Sequence, residues 1–199
     1  MKKISTFLLL LIIGISIYHF WPEKELKHPA GVLVPNDPVQ VSVTNPVPWQ
    51  KDDYTITPLA EFSIKAFVLS TNHFSVGRES DLSPIDLALG WGEMSNQAII
   101  DDLDISQSNR WYHWKTKVLI IPAHEISTHS ANMHIIPADE KIEDTLDELY
   151  KGCIIEMKGY LVSVNATDGW HWSSSLRRDD TGGGACELVW ANELNIIEQ

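Results

Sequence analysis

CIIEMKGYLVSV, residues 153 to 164, alternates with a period of two. Cys153, Ile155, Met157 and Leu161 fall on one face, and Glu156 and Lys158 fall on the other. That pattern belongs to a strand with one face against a core. Just upstream, Asp139 is placed to cap a helix in which Ile142, Leu146 and Leu149 recur at i, i+4 and i+7, and Gly152 closes it. Downstream, WHWSSSL (170–176) and ACELVWANELNI (185–196) read as two more strands. RRDDTGGG (177–184), a glycine-rich turn, joins them, so the last three strands are expected to form a meander.

Toward the N-terminus the same reading continues. Phe62, Ile64, Ala66 and Val68 alternate with Ser63, Lys65 and Phe67, which predicts another half-buried strand. Ser83-Pro84 has the form of a cap followed by proline at the first helical position, predicting a short helix ended by Gly90. Ser95 is expected to cap a second short helix, and RWYHW (110–114) reads as a strand. The expected class is α+β: a small antiparallel sheet, curled or closed to hide its edges, with short helices inserted. An OB-like barrel is the expected form.

Residues 1–21, MKKISTFLLLLIIGISIYHFW, are almost wholly apolar from Ile4 onward. That length suits a single transmembrane helix, and Tyr18 and Trp21 lie where interfacial aromatics settle. A cleaved signal peptide is the alternative, with Gly14-Ile15-Ser16 supplying small residues. Either way the body is exported, with the N-terminus expected in the cytoplasm. Seven of the ten prolines lie from Pro22 to Pro58, so residues 22–54 are expected to be an extended spacer, with Val39, Val41 and Val43 offering a short edge strand. Residues 55–199 are then the globular domain. A net charge of −12 without a Lys/Arg run argues against a nucleic-acid partner.

HEISTHSANMH (124–134) resembles a zinc-protease motif only superficially. His124 to His129, and His129 to His134, are separated by five residues. On a helix that spacing turns side chains about 140° apart, and on a strand it sends them to opposite faces. Only a loop-built site can gather His124, His129 and His134. The simpler expectation is a short helix from Ala123, a turn near Asn132, and a partly buried His134.

Cys186 is the one candidate nucleophile, with His171, His134 or His129 as base and Asn132 or Asp180 to orient it. Against that, Cys186, Leu188 and Trp190 alternate onto one apolar face, and Cys153 points to its own apolar face. Two buried thiols or a disulfide are the competing expectation. Gly182-Gly183-Gly184 precedes a strand and lacks the Lys-Ser/Thr of a phosphate loop. Among the eight tryptophans, Trp111, Trp114, Trp170 and Trp172, together with Trp91, are the candidate binding surface; core packing is their alternative role.

Taken together, DLSPIDLALGWGEMS, DISQSNRWYHW, HSANMHIIPAD, KGYLV and WHWSSSLRRDDTGGGACELVW resemble an uncharacterised family of small bacterial proteins. In that family an N-terminal apolar segment precedes one such domain, and the resemblance covers roughly residues 60–197. It implies a bacterial origin and an envelope location, and it supplies no catalytic residue. Asn165-Ala166-Thr167 fits a glycosylation sequon that such a setting leaves without meaning. The expected function is a membrane-tethered envelope module that binds a protein or glycan without catalysis or cofactor. A Cys-His hydrolase or transferase centred on Cys186 is the first alternative, and a metal site at His124, His129 and His134 is the second.

Overall fold

The longest strand, β3 (Tyr54–His73), organises the molecule, because four other strands pair with it. The computed structural model describes residues 24–177 and 186–199. The expected anchor at 1–21, Asp180 and the glycines at 182–184 lie outside the described residues. Tyr54, Ile56, Ala60, Phe62, Ile64 and Ala66 occupy alternate positions of β3 and are all buried, as a strand facing a core requires.

Beside β3 run β1 (Val39–Ser42) and β2 (Trp49–Lys51), both antiparallel to it. After β3 come a one-turn helix, α1 (Arg78–Leu82), and β4 (Ile85–Gly90). A 3-10 turn (Gly92–Ser95) leads to α2 (Gln97–Ile100). A hairpin of its own follows, β5 (Asp104–Ser108) and β6 (Trp111–Lys115). Next are α3 (Ala123–Thr128), β7 (Ser130–Pro137) and α4 (Glu140–Asp147). β8 (Ile154–Ala166), β9 (His171–Ser173) and β10 (Glu187–Glu198) complete the chain. The class is α+β, with a mostly antiparallel, curled sheet and few short helices.

Pairings run β3-β4-β7-β10-β8 and return to β3, because β8 pairs with β3 from Tyr54↔Ala166 to Phe67↔Ile154. All are antiparallel except β7 with β10, which run parallel. The main core inside this ring includes Leu87, Leu89, Met133, Ile135, Ile155, Met157 and Val189. Ile142 and Leu146 of α4 join it, and Asp139 caps that helix by accepting from Ile142 N at 2.9 Å. A second, smaller cluster holds Tyr54, Ile56, Leu82, Ile136, Val162, Val164 and Leu188.

Several local expectations are corrected. Ser83-Pro84 does not start a helix: it follows α1, and residues 85–90 form β4, buried at every position. A strand covered on both faces loses its polar alternation, so Leu87-Ala88-Leu89 imitates a helical run. The cap of α2 is Asn96, which accepts from Ala98 N at 3.2 Å, rather than Ser95. Ser95 instead holds the incoming chain, accepting from Val34 N at 2.9 Å. Asn132 lies inside β7 and not in a turn. The last three strands are not a meander. β10 takes the first half of the open edge of β8, β9 takes only Ser163–Asn165, and residues 187–191 at the start of β10 give their other edge to β7.

The Pro-rich stretch, read above as a spacer, is laid against the body from its first described residues. Leu26 N donates to Lys151 O at 2.9 Å, Val34 is buried at 1% exposure, and β1 pairs with β3. Gly152 permits this close approach: its φ is +100°, and an added Cβ would overlap the Leu26 carbonyl.

Candidate functional site

β4 and β7 pair so that Asp86 faces His134, and both are buried. Asp86 is the only charged residue in β4, and its carboxylate is surrounded by donors. Arg110 Nη1 donates to Asp86 Oδ1 at 2.8 Å, and Asn132 Nδ2 donates to Oδ2 at 3.3 Å. His134 Nδ1 lies 2.9 Å from Oδ1, within ion-pair reach but off the hydrogen-bond direction. Arg110 comes from the β5–β6 turn, where Asn109 and Arg110 have φ of 51° and 63°. Two positive φ values in a two-residue loop are the mark of a type I′ hairpin, which aims Arg110 back at the sheet. Gln107 Nε2 completes the network by donating to Asn132 Oδ1 at 2.7 Å.

Aromatic rings wall this cluster. The Arg110 guanidinium lies 4.0 Å from the Phe74 ring centre and 5.5 Å from that of Trp172. Trp172 also meets His134 at 5.0 Å and Trp170 at 6.1 Å. Arg78 continues the stack, 4.8 Å from Trp170 and 5.4 Å from Tyr54, and forks onto Asp168 at 2.7 and 3.1 Å. That guanidinium holds the Asp168 carboxyl below its ordinary range, with help from the Trp170 N–H. Trp170 and Trp172 therefore face the protein's own cations, as Trp190 faces Lys51 Nζ at 5.7 Å.

Of the candidate nucleophilic set, Asn132, His134 and Cys186 are brought to one neighbourhood. Cys186 Sγ points at Arg110 O at 3.9 Å, the same carbonyl that accepts from Asn132 Nδ2 at 3.1 Å. His171 is not part of it: it is exposed and bonds Asn165 Oδ1 at 3.0 Å. Cys153 is an unbridged thiol in the main core, where burial pushes its pKa up. The three candidate metal ligands are separated. His124 is exposed on α3, His129 ends α3 with Nδ1 3.1 Å from Glu125 Oε2, and His134 belongs to Asp86. Among the described residues no group of three or more His, Cys, Asp or Glu is arranged to hold a metal.

Trp111 and Trp114 point to opposite faces of β6, with Trp111 exposed and Trp114 packed on the core. Trp91 is fully buried. The surface aromatic groove is built from other residues. Glu61, Tyr160 and Trp190 form a row across β3, β8 and β10, and Trp49 of β2 closes over it. Ring centres are 5.2 Å apart for Trp49–Trp190 and 5.9 Å for Trp49–Tyr160. With Val47, Pro58 and Asn192 these residues line a groove of about 530 Å³. A second hollow of about 390 Å³ adjoins it, sharing Glu61, Tyr160 and Asn192. Trp190 Nε1 donates to Asn192 Oδ1 at 2.7 Å, which fixes the indole plane.

No single stretch of sequence announced either feature. Asp86, alone in a run of apolar residues, was the available signal for the buried cluster. Trp49, Tyr160 and Trp190 come from three distant strands and carry no local motif.

Comparison with protein-family models, with curated proteins and with solved structures gave no match. Among the described residues no helix is long and apolar enough to cross a membrane.

Proposed function

We propose that this chain is a membrane-anchored module of the bacterial envelope that binds glycan through the groove of Trp49, Tyr160 and Trp190. The apolar run from Ile4 to Trp21 is the single-pass anchor in the inner membrane, and the body faces the periplasmic side. The body is an OB-like barrel: the pairing ring, the parallel contact between its third and fifth strands, and α4 between β7 and β8 support that reading. OB barrels take oligosaccharides and oligonucleotides. A net charge of −12 disfavours the second.

The observation that carries the proposal is the meeting of three half-buried aromatic rings in an open groove with polar groups at its rim. Sugar rings present apolar C–H faces that stack on indole and phenol, while Glu61, Asn45 and Asn192 offer partners to hydroxyl and amide groups. The test is a tryptophan-fluorescence titration of the full chain with soluble N-acetylated amino-sugar oligomers, in a detergent that carries no sugar. A saturable change that is lost in Trp190→Ala supports the proposal, and a flat titration across neutral and anionic oligomers refutes it.

A second reading is favoured by the gathering of Asn132, His134 and Cys186 around Asp86 and Arg110. In it His134, beside the Asp86 carboxylate, takes the proton of the Cys186 thiol, the thiolate adds to an acyl carbonyl, and the alcohol or amine leaves with that proton as the acyl–sulfur bond replaces its own. Fast native labelling of Cys186 near neutral pH, abolished in His134→Ala, would favour it over the binding module.

A further inference from the structure

The docking of residues 24–54 leaves almost no slack between the expected anchor and the body. Lys24 Nζ lies 3.8 Å over the Tyr150 ring, Glu25 bridges to Lys151, and Lys27 pairs with Asp101. Trp21, the last residue of the apolar run, is three positions before Lys24. Three residues reach at most about 10 Å when fully extended. Lys24 is therefore held within about 10 Å of the headgroup layer of whatever bilayer holds the run, and Lys27, three residues further on, continues the same surface to Asp101.

That surface carries the only three consecutive exposed large apolar residues among those described. Val118, Leu119 and Ile120 are 69%, 54% and 48% exposed. Val118 and Ile120 line a hollow of about 580 Å³ together with Asp101 and Asp102, and Asp101 is the carboxylate that Lys27 holds. The register Asp104↔Lys115 brings the end of β6 to the same place. Thr116 Oγ1 donates to Val118 O at 2.8 Å and accepts from its N–H at 3.3 Å, so a turn presents the three side chains. Lys115 and Lys117 come just before them, in a hollow that Asp101, Asp102 and Asp104 also line. Lysines so placed extend their ammonium groups to headgroups while the stems stay in the apolar boundary.

We infer that residues 117–121 are a second membrane contact, with Val118, Leu119 and Ile120 seated in the headgroup–acyl boundary of the bilayer that holds the anchor. This contact rests on the anchored reading proposed above. Its consequence is a fixed orientation: the body lies on the membrane instead of swinging from a spacer. A partner protein is the other class of surface that an apolar loop suits. The bilayer is favoured because the short tether places it there permanently.

The test uses the full chain carrying Cys186→Ser, since Cys153 is buried. An environment-sensitive nitrobenzoxadiazole probe is attached at Leu119→Cys, or at Val47→Cys beside the aromatic groove, and circular dichroism checks the fold of each variant. The chain is reconstituted into phosphatidylethanolamine/phosphatidylglycerol vesicles with and without brominated acyl chains. The probe at 119 is expected to shift to the blue and to be quenched at least about twofold more than the probe at 47. If the chain survives an alkaline carbonate wash in the pellet and the 119 probe is quenched no more than the 47 probe, the loop contact is overturned and the anchor stands. If the wash releases the chain, the anchored reading falls and the loop contact falls with it. If the 119 probe stays in water in vesicles and is shielded only in native membranes, the loop belongs to a protein partner and the lipid contact is overturned.

Discussion

Replacing Asp86 by alanine removes the hub of the buried polar cluster, and the cost follows from what it leaves behind. Its side chain is 1% exposed, and the partners are nearly as enclosed: His134 at 6% and Arg110 at 17%. Without the carboxylate, the guanidinium keeps, among the described residues, Ser83 O as a hydrogen-bond acceptor at 3.0 Å and its stacking on Phe74 and Trp172. Breaking a buried pair by deleting one partner costs about 3–5 kcal/mol. Against a total stability of about 5–15 kcal/mol, Asp86→Ala should lose about a fifth of it or more. Asp86→Asn retains an acceptor for Arg110 and loses the charge, so a smaller loss of about 1.5–3 kcal/mol is expected. The assay is urea unfolding of the full chain in non-ionic detergent, followed by tryptophan fluorescence. Arg110→Ala and the double variant close a cycle, and their effects should fall short of additive by at least about 1 kcal/mol. Additive effects, or an Asp86→Ala loss under about 1 kcal/mol, would refute the pairing as a source of stability.

Other perturbations test separate parts of the account. Gly159→Ala would drive a Cβ into the Trp190 carbonyl where β8 and β10 pair, so a loss of about 1–3 kcal/mol is expected in the same assay, with disturbance of the aromatic groove. Val34→Asp puts a charge into the buried contact of the docked N-terminal segment, and limited proteolysis should then cut between residues 28 and 40 faster than in the parent chain. Asp168 has its pKa depressed by Arg78, so its contribution is present above the unfolded-state pKa and is lost as pH falls through the lower folded value. The Trp170 environment, read by fluorescence, should therefore hold until pH drops below the usual aspartate range, and Asp168→Asn should lack that transition. Burial raises the Cys153 pKa, so Cys153 should resist alkylation until the chain is denatured.

What the sequence disclosed were elements whose stabilising contacts are repeated along the chain itself. The alternation of Cys153–Leu161, the Asp139 cap and the i, i+4 spacing of Ile142 and Leu146 each state a local geometry, and β8 and α4 take it. β4 was hidden because its two faces are both buried, so Leu87-Ala88-Leu89 carries no period of two and Ser83-Pro84 offers a false start. The prolines between Pro22 and Pro58 suggested a free extended chain. Yet an extended chain can still pair at an edge, as β1 does, and Pro58 is accommodated beside the β3 register shift at 58–60. The site was the least legible part. Asp86, Arg110 and His134 lie 24 residues apart in each step and meet only through pairing across β4 and β7 and the Asn109-Arg110 turn. The tryptophans that drew notice in sequence, Trp170 and Trp172, are covered by Arg78 and Arg110, while the groove recruits Trp49 and Trp190.

The most direct test of glycan binding compares two tryptophans that the fold treats differently. Calorimetric titration of the full chain with the amino-sugar oligomer that binds best would be repeated on Trp190→Ala and on Trp172→Ala. Trp190→Ala should weaken binding about tenfold or more, the loss of about 1.4 kcal/mol that a stacking ring supplies, with Trp172→Ala near the parent value. Equal affinity in the parent and Trp190→Ala, or a loss confined to Trp172→Ala, would contradict the groove as the binding site.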